Sequence, residues 1–248
     1  MIKKKFLFIP LLVMGLIVTL LSCNDLGDGR NYQTYESYAI VDYNSTWGTY
    51  TLLTGLGELA ANVGTTYMPG DCLALRFTID FDNQPSTKYY TASELVPYVD
   101  IENRSLRVLD KFYQDEYTYA IEGIDDLGIS PFFNGVYFLK LKYKESVKNQ
   151  FTAQMFCVKD SLTPGSHIVP VYFKSKENGT STSATKESIH AFDIKSVLST
   201  ASPRDTTIQN VKYTYLELKP RYYVDEKDGE PVWNNKKEST KIYFFKEG

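Results

Sequence analysis

The stretch "CLALRFTIDF" (Cys72–Phe81) decides the fold. In an extended chain Leu73, Leu75, Phe77, Ile79 and Phe81 share one face, and Ala74, Arg76, Thr78 and Asp80 share the other with Cys72. Such period-two alternation marks a half-buried antiparallel strand. "GVYFLKLKYK" (Gly135–Lys144) repeats it, setting Tyr137, Leu139, Leu141 and Tyr143 against Lys140, Lys142 and Lys144. Further alternating runs fall at 37–43, 49–54, 151–158, 167–174, 188–194, 211–219 and 241–246. Twenty tyrosines and fourteen phenylalanines add strand propensity. Only "GLGELAANV" (55–63) and "TASELVPYVD" (91–100) look briefly helical, and Pro97 limits the second. The class is all-β.

Turn chemistry separates the runs. "MPGD" (Met68–Asp71) launches the Leu73 strand, and Asp228-Gly229 inside "DEKDGEP" suits a tight hairpin. Alternation lapses over 121–135, "IEGIDDLGISPFFNG", where Gly, Asp and Pro gather. That lapse reads as an interdomain connection, dividing a first β unit over 36–124 from a second over 136–248, each of ordinary domain size.

The N-terminus reads as an address. Lys3, Lys4 and Lys5 precede an uncharged run from Phe6 to Leu21, short for a spanning helix and interrupted by Pro10. Residues 1–22 are therefore expected to be a signal peptide. Leu20-Leu21-Ser22 before Cys23 resembles the lipobox of bacterial lipoproteins, in which the cysteine thiol is acylated and becomes the new N-terminus. Several acyl chains make a lasting tether, because each buried CH₂ adds ~0.8 kcal/mol. By analogy with lipoprotein sorting, Asn24 after the cysteine points to the outer membrane, with the face left open. Residues 23–35 are expected to be an extended tether.

Losing residues 1–22 removes three lysines and no acids, leaving 24 basic residues against 30 acidic, a balance of −6. An acidic, lipid-held chain without a clustered basic segment is a poor nucleic-acid binder. "KLKYK" (Lys140–Lys144) and "NNKKE" (234–238) read as a solvated strand face and a loop. Cys72 and Cys157 lie in separate strand runs; two buried thiols are expected, with a bridge as the alternative. No Cys or His spacing suits zinc, and neither a metal nor a cofactor is expected.

"PGDCLALRFTI", "ASELVPYVDI", "GVYFLKLKY" and "SIHAFDIKSV", behind a lipoprotein start, resemble the NigD-like lipoproteins of anaerobic Gram-negative bacteria. The resemblance implies an OB-like barrel followed by an antiparallel β-sandwich. It also implies a bacteriocin immunity or accessory role. It brings no catalytic or ligand residues.

Chemistry-bearing strings are sparse. Gly55-x-Gly57-x-x-Ala60 imitates a dinucleotide fingerprint but lacks the β-α-β setting, and reads as a turn. Ser166 adjoins His167, and His190 precedes Asp193 by three, so on a strand each pair points to opposite faces. Neither makes the nucleophile–base contact a hydrolase needs. Asp125-Asp126, Asp115-Glu116 and the Asp225–Glu230 loop offer carboxylates that suit solvated loops, and the last lacks an EF-hand spacing. Tyr222, Tyr223 and Trp233 lie on the arms of one hairpin. Their rings could stack on a sugar or anchor a protein, although a core position fits large aromatics better. The expected function is non-catalytic: partnering the membrane through Cys23 and an envelope protein or glycan, with a glycan-uptake binder or a hydrolase as alternatives.

Overall fold

The computed structural model describes residues 31–45, 48–60, 66–85, 89–112, 120–146, 152–176 and 181–246. Cys23 and the signal segment lie outside them. The first five strands, β1 (Tyr32–Asn44), β2 (Thr49–Thr54), β3 (Gly57–Ala60), β4 (Cys72–Asp80) and β5 (Tyr90–Ile101), close a barrel in the order β1-β2-β3-β5-β4. β3 and β5 run parallel and the other neighbours antiparallel. This is the OB-like barrel. Leu73, Leu75, Phe77 and Ile79 fill it with Ala39, Val41, Leu52 and Leu59.

Three expectations need correction here. Tyr32–Tyr35, assigned to the tether, already pair with β4. Both segments that looked helical are strand: Gly57–Ala60 forms β3, and β5 carries Pro97 beside a bulge, where a missing N–H costs least. Gly55-Leu56 is simply the turn of the β2–β3 hairpin.

The second unit begins at Asn103 rather than 136. β6 (Asn103–Ser105) and β7 (Arg107–Leu109) each join a different sheet, pairing parallel with β12 (Ser181–Asp193) and β10 (Thr152–Val158). Ile121–Gly128, expected to be a connection, is strand β8 against β9 (Val136–Ser146). Bulges at Ile121/Gly123 and Asp126/Gly128 break its alternation, which hid it. β6, β12, β9 and β8 form a four-stranded sheet. β7, β10, β11 (Ile168–Lys176), β13 (Arg204–Ile208), β14 (Val211–Lys227), β15 (Glu230–Asn235) and β16 (Thr240–Phe245) form a seven-stranded one. The sandwich is mixed rather than purely antiparallel, since three of its pairings are parallel. Tyr137, Leu139, Leu141, Phe173, Phe192, Leu216, Leu218 and Phe244 fill the space between the sheets.

The barrel packs on the outer face of the four-stranded sheet. Ile40, Leu53, Cys72, Ala74 and Ile101 meet Phe133, Val136, Phe138 and Ala191, and Tyr38 stacks on Phe138 at 5.4 Å. Cys72 sits in this seam and Cys157 in the sandwich core, both free and buried.

Candidate functional site: the outer face of the seven-stranded sheet

OB-type barrels bind ligands on their second and third strands. Here that surface is covered. Thr51, Leu52, Leu53 and Thr54 of β2 are all buried, the Phe132 ring lies over Gly57, and Ser130 Oγ donates to the Gly55 carbonyl at 3.4 Å. Phe133 closes over Leu53. The turn Pro131–Phe133 therefore occupies the place a barrel ligand would take.

The two outward faces of the sandwich differ in chemistry. Beyond the barrel seam, the four-stranded sheet presents a charge ladder: Lys140–Glu187 at 2.8 Å, Lys142–Asp125 at 2.9 Å and Lys144–Glu122 at 3.0 Å. Ladders of this kind suit water. They account for "KLKYK" and for Asp125.

The seven-stranded sheet instead turns aromatic rings outward. Met155, Cys157, Val169, Val171, Phe173, Leu216, Leu218, Tyr222, Ile242 and Phe244 point into the core, so the alternating positions face away from it. At one end Phe156, Tyr172, Tyr223, Trp233 and Phe112 pack together: Phe156 stacks on Tyr172, and Trp233 meets Tyr172 and Tyr223 edge-on at 5.1 Å and 6.0 Å. At the other end Tyr213, Tyr215, Tyr243 and Phe245 form a second group, with His167 against Tyr215 at 5.8 Å. Phe112 is 43% and Phe245 38% exposed and Trp233 and Tyr215 are half-buried, whereas Phe156, Tyr172, Tyr213, Tyr223 and Tyr243 are buried beneath their neighbours. Cations cover several ring faces: Lys174 over Phe156, Arg221 over Tyr172 and Lys241 over Tyr215, at 5.2–5.5 Å. Cation–π attraction holds them there.

Of the three candidate binding residues, Tyr223 and Trp233 come together as cross-strand partners on this face. Tyr222 does not, because it packs inward on the core. The Asp225–Glu230 loop is the tight hairpin its Asp-Gly pair implies, with Asp228 and Gly229 at positive φ.

The histidines fall in different settings. His167 Nε2 lies 3.9 Å from Glu217 Oε2, and Ser166 Oγ takes the Ile168 N–H rather than His167. Asp193 accepts from the Lys195 N–H. The contact sequence reasoning missed is Ser188 Oγ to His190 Nε2 at 2.6 Å, two residues apart and hence on one face. Burial pushes His190 down to about 4, helped by the nearby Arg104 guanidinium. Arg104 is itself clasped by Glu102 and reaches across to the Ala153 carbonyl. Asp126 accepts from Tyr137, Lys236 and Thr240 in a half-buried network, so it is structural. Asp115 and Glu116 lie outside the described residues. Among the described residues no three His, Cys, Asp or Glu side chains gather as a metal site would require.

No protein-family model and no curated protein matches the chain. Solved structures do. An uncharacterised protein from Parabacteroides merdae superposes with a TM-score of 0.58 at 14% identity, covering 85% of this chain and 98% of its own. A candidate lipoprotein from Bacteroides fragilis gives 0.55 at 14% identity, covering 86% and 98%. A NigD-like immunity protein from Bacteroides caccae gives 0.43 at 13% identity, covering 84% and 93%. The first two likenesses show that the whole barrel-plus-sandwich arrangement is a shared fold.

Proposed function

We propose that this chain is a lipid-anchored envelope protein that works by binding a macromolecule, without catalysis. Its start supports the anchor: a basic end, an uncharged run and Ser22-Cys23. A fold shared with a candidate lipoprotein is in keeping with that address. The observation that carries the binding role is the ring-rich outer face of the seven-stranded sheet, set against the charge ladder opposite. A face needed only for solubility would resemble the ladder. The barrel packs on the other sheet, which leaves this face uncovered by it.

A hydrolase reading has the Ser188–His190 contact in its favour. A general base works best with a pKa near the operating pH, and burial holds His190 at about 4. That makes it a poor proton acceptor for a serine hydroxyl. Of the binding roles, the rings favour a glycan partner over the immunity role that the NigD-like resemblance implies.

The test is depletion of the mature protein by washed envelope material. Trp233→Ala and Phe112→Ser should each weaken retention, while Lys144→Glu on the ladder should not. Equal retention of all three variants would remove the face from the account.

A further inference from the structure

Cations that are scattered along the sequence converge on this one face. Arg107, Lys174, Lys219, Arg221 and Lys241 occupy outward positions of the seven-stranded sheet, alternating with core residues of the same strands, and Arg204 joins them as the cross-strand partner of Tyr215. Arg107, Arg204, Lys219 and Lys241 are exposed. Among the described residues the acid set among them is Glu217, which faces His167 and lies across from Lys241. Asp205 points to the opposite side and pairs with Lys246, Asp110 pairs with Lys159, and the Asp225–Glu230 acids lie at the hairpin tip. A strongly positive strip therefore crosses a chain whose balance is −6 without residues 1–22. Lys219 and Arg221 fall between the two aromatic groups, along a stretch of β14 from Tyr213 to Tyr223 that spans roughly 33 Å.

We infer that this strip binds an acidic polysaccharide, one bearing carboxylate or sulfate groups; the inference rests on the binding role proposed above and names the ligand class. Charge complementarity selects an anion. The rings select what carries it. Lysine or arginine lies over the faces of Phe156, Tyr172 and Tyr215, so a neutral sugar meets covered rings. An acidic sugar offers both exchanges at once at Tyr215, the half-exposed ring of the three: its anion draws Lys241 off, and its apolar C–H face takes the vacated ring. Protein interfaces enrich arginine and aromatic rings but are depleted in lysine, which supplies three of the six cations, so a protein partner matches the strip only in part. Single-stranded nucleic acid also stacks on rings above cations, but the lipoprotein-like start sends the chain away from it.

The experiment titrates the mature protein, in detergent, with polygalacturonate, dextran sulfate, neutral dextran, a poly-glutamate peptide and a single-stranded DNA oligomer. Binding of an acidic polysaccharide, absent for neutral dextran and weakening as salt rises, is expected. The double variant Lys219→Glu/Lys241→Glu should lose about tenfold or more in affinity. Lys140→Glu/Lys144→Glu, on the ladder, should bind like wild type. Should the first double variant lose its thermal transition, Lys219→Gln/Arg221→Gln replaces it and should weaken binding in the same direction. Tighter binding to poly-glutamate or to DNA than to either acidic polysaccharide would overturn the ligand class, leaving the binding role standing. Affinity unmoved by either strip variant would overturn the site. No binding to any polyanion, with envelope retention still dependent on Trp233, would overturn this inference and not the binding role.

Discussion

His190 shows how one residue couples burial to solution conditions. Its imidazole is held neutral in the fold, with a pKa of about 4 against 6.5 ordinarily. Between those values the unfolded chain binds the proton and the folded chain does not, so stability falls as pH drops from 6.5 towards 4. The full loss is on the order of 3 kcal/mol. Urea midpoints measured between pH 7 and 4 should decline accordingly, and His190→Gln should flatten the part of the slope due to this residue. Cys72 and Cys157 give a second residue-scale expectation. Burial pushes their thiols up to about 12 and about 11. Neither should react with a thiol reagent at pH 8 until denaturant is added; rapid labelling of the native chain would mean the seam or the core is open.

At the scale of elements, tight turns and strand parity do most of the specifying. Gly135 opens β9 at φ +87°, and a Cβ there would stand 2.7 Å from the Phe244 ring. Gly135→Ala should cost more than about 2 kcal/mol in denaturant unfolding, from backbone strain and the clash together. Parity is what made β1, β2, β4, β9 and β14 legible in sequence: their apolar residues alternate cleanly. It failed for β8 because bulges shift its register and because its acids are satisfied across strands, Asp125 by Lys142 and Asp126 by Tyr137. β13 was missed because its hairpin turns on Gln209-Asn210, two non-glycine residues at positive φ. The outward rings were half legible. Tyr213 and Tyr215 fall on the strand face opposite Leu216 and Leu218, but only the sheet order sets them beside Tyr243 and Phe245. The cationic strip is drawn from strands far apart in sequence, so no local run could announce it.

For the whole molecule, the seam between barrel and sandwich makes the two units cooperate. Phe138 is fully buried there, stacked on Tyr38 and edge-on to Phe133. Phe138→Ala should cost about 3–5 kcal/mol. It should also split a single unfolding transition into two, since the seam is what joins the units; one unsplit transition at unchanged midpoint would show the seam is dispensable. The same seam covers the strand face that OB-type barrels use for ligands, which is why the proposed binding is assigned to the far side of the sandwich. All of this presumes a chain held at an envelope by a lipid on Cys23. Intact-mass measurement of the protein from its own cells, together with membrane fractionation, addresses that most directly. A polypeptide beginning at Cys23, heavier by its acyl groups and recovered with membranes, is the expected result; an unmodified chain retaining residues 1–22 and recovered from cytosol would contradict the lipid anchor.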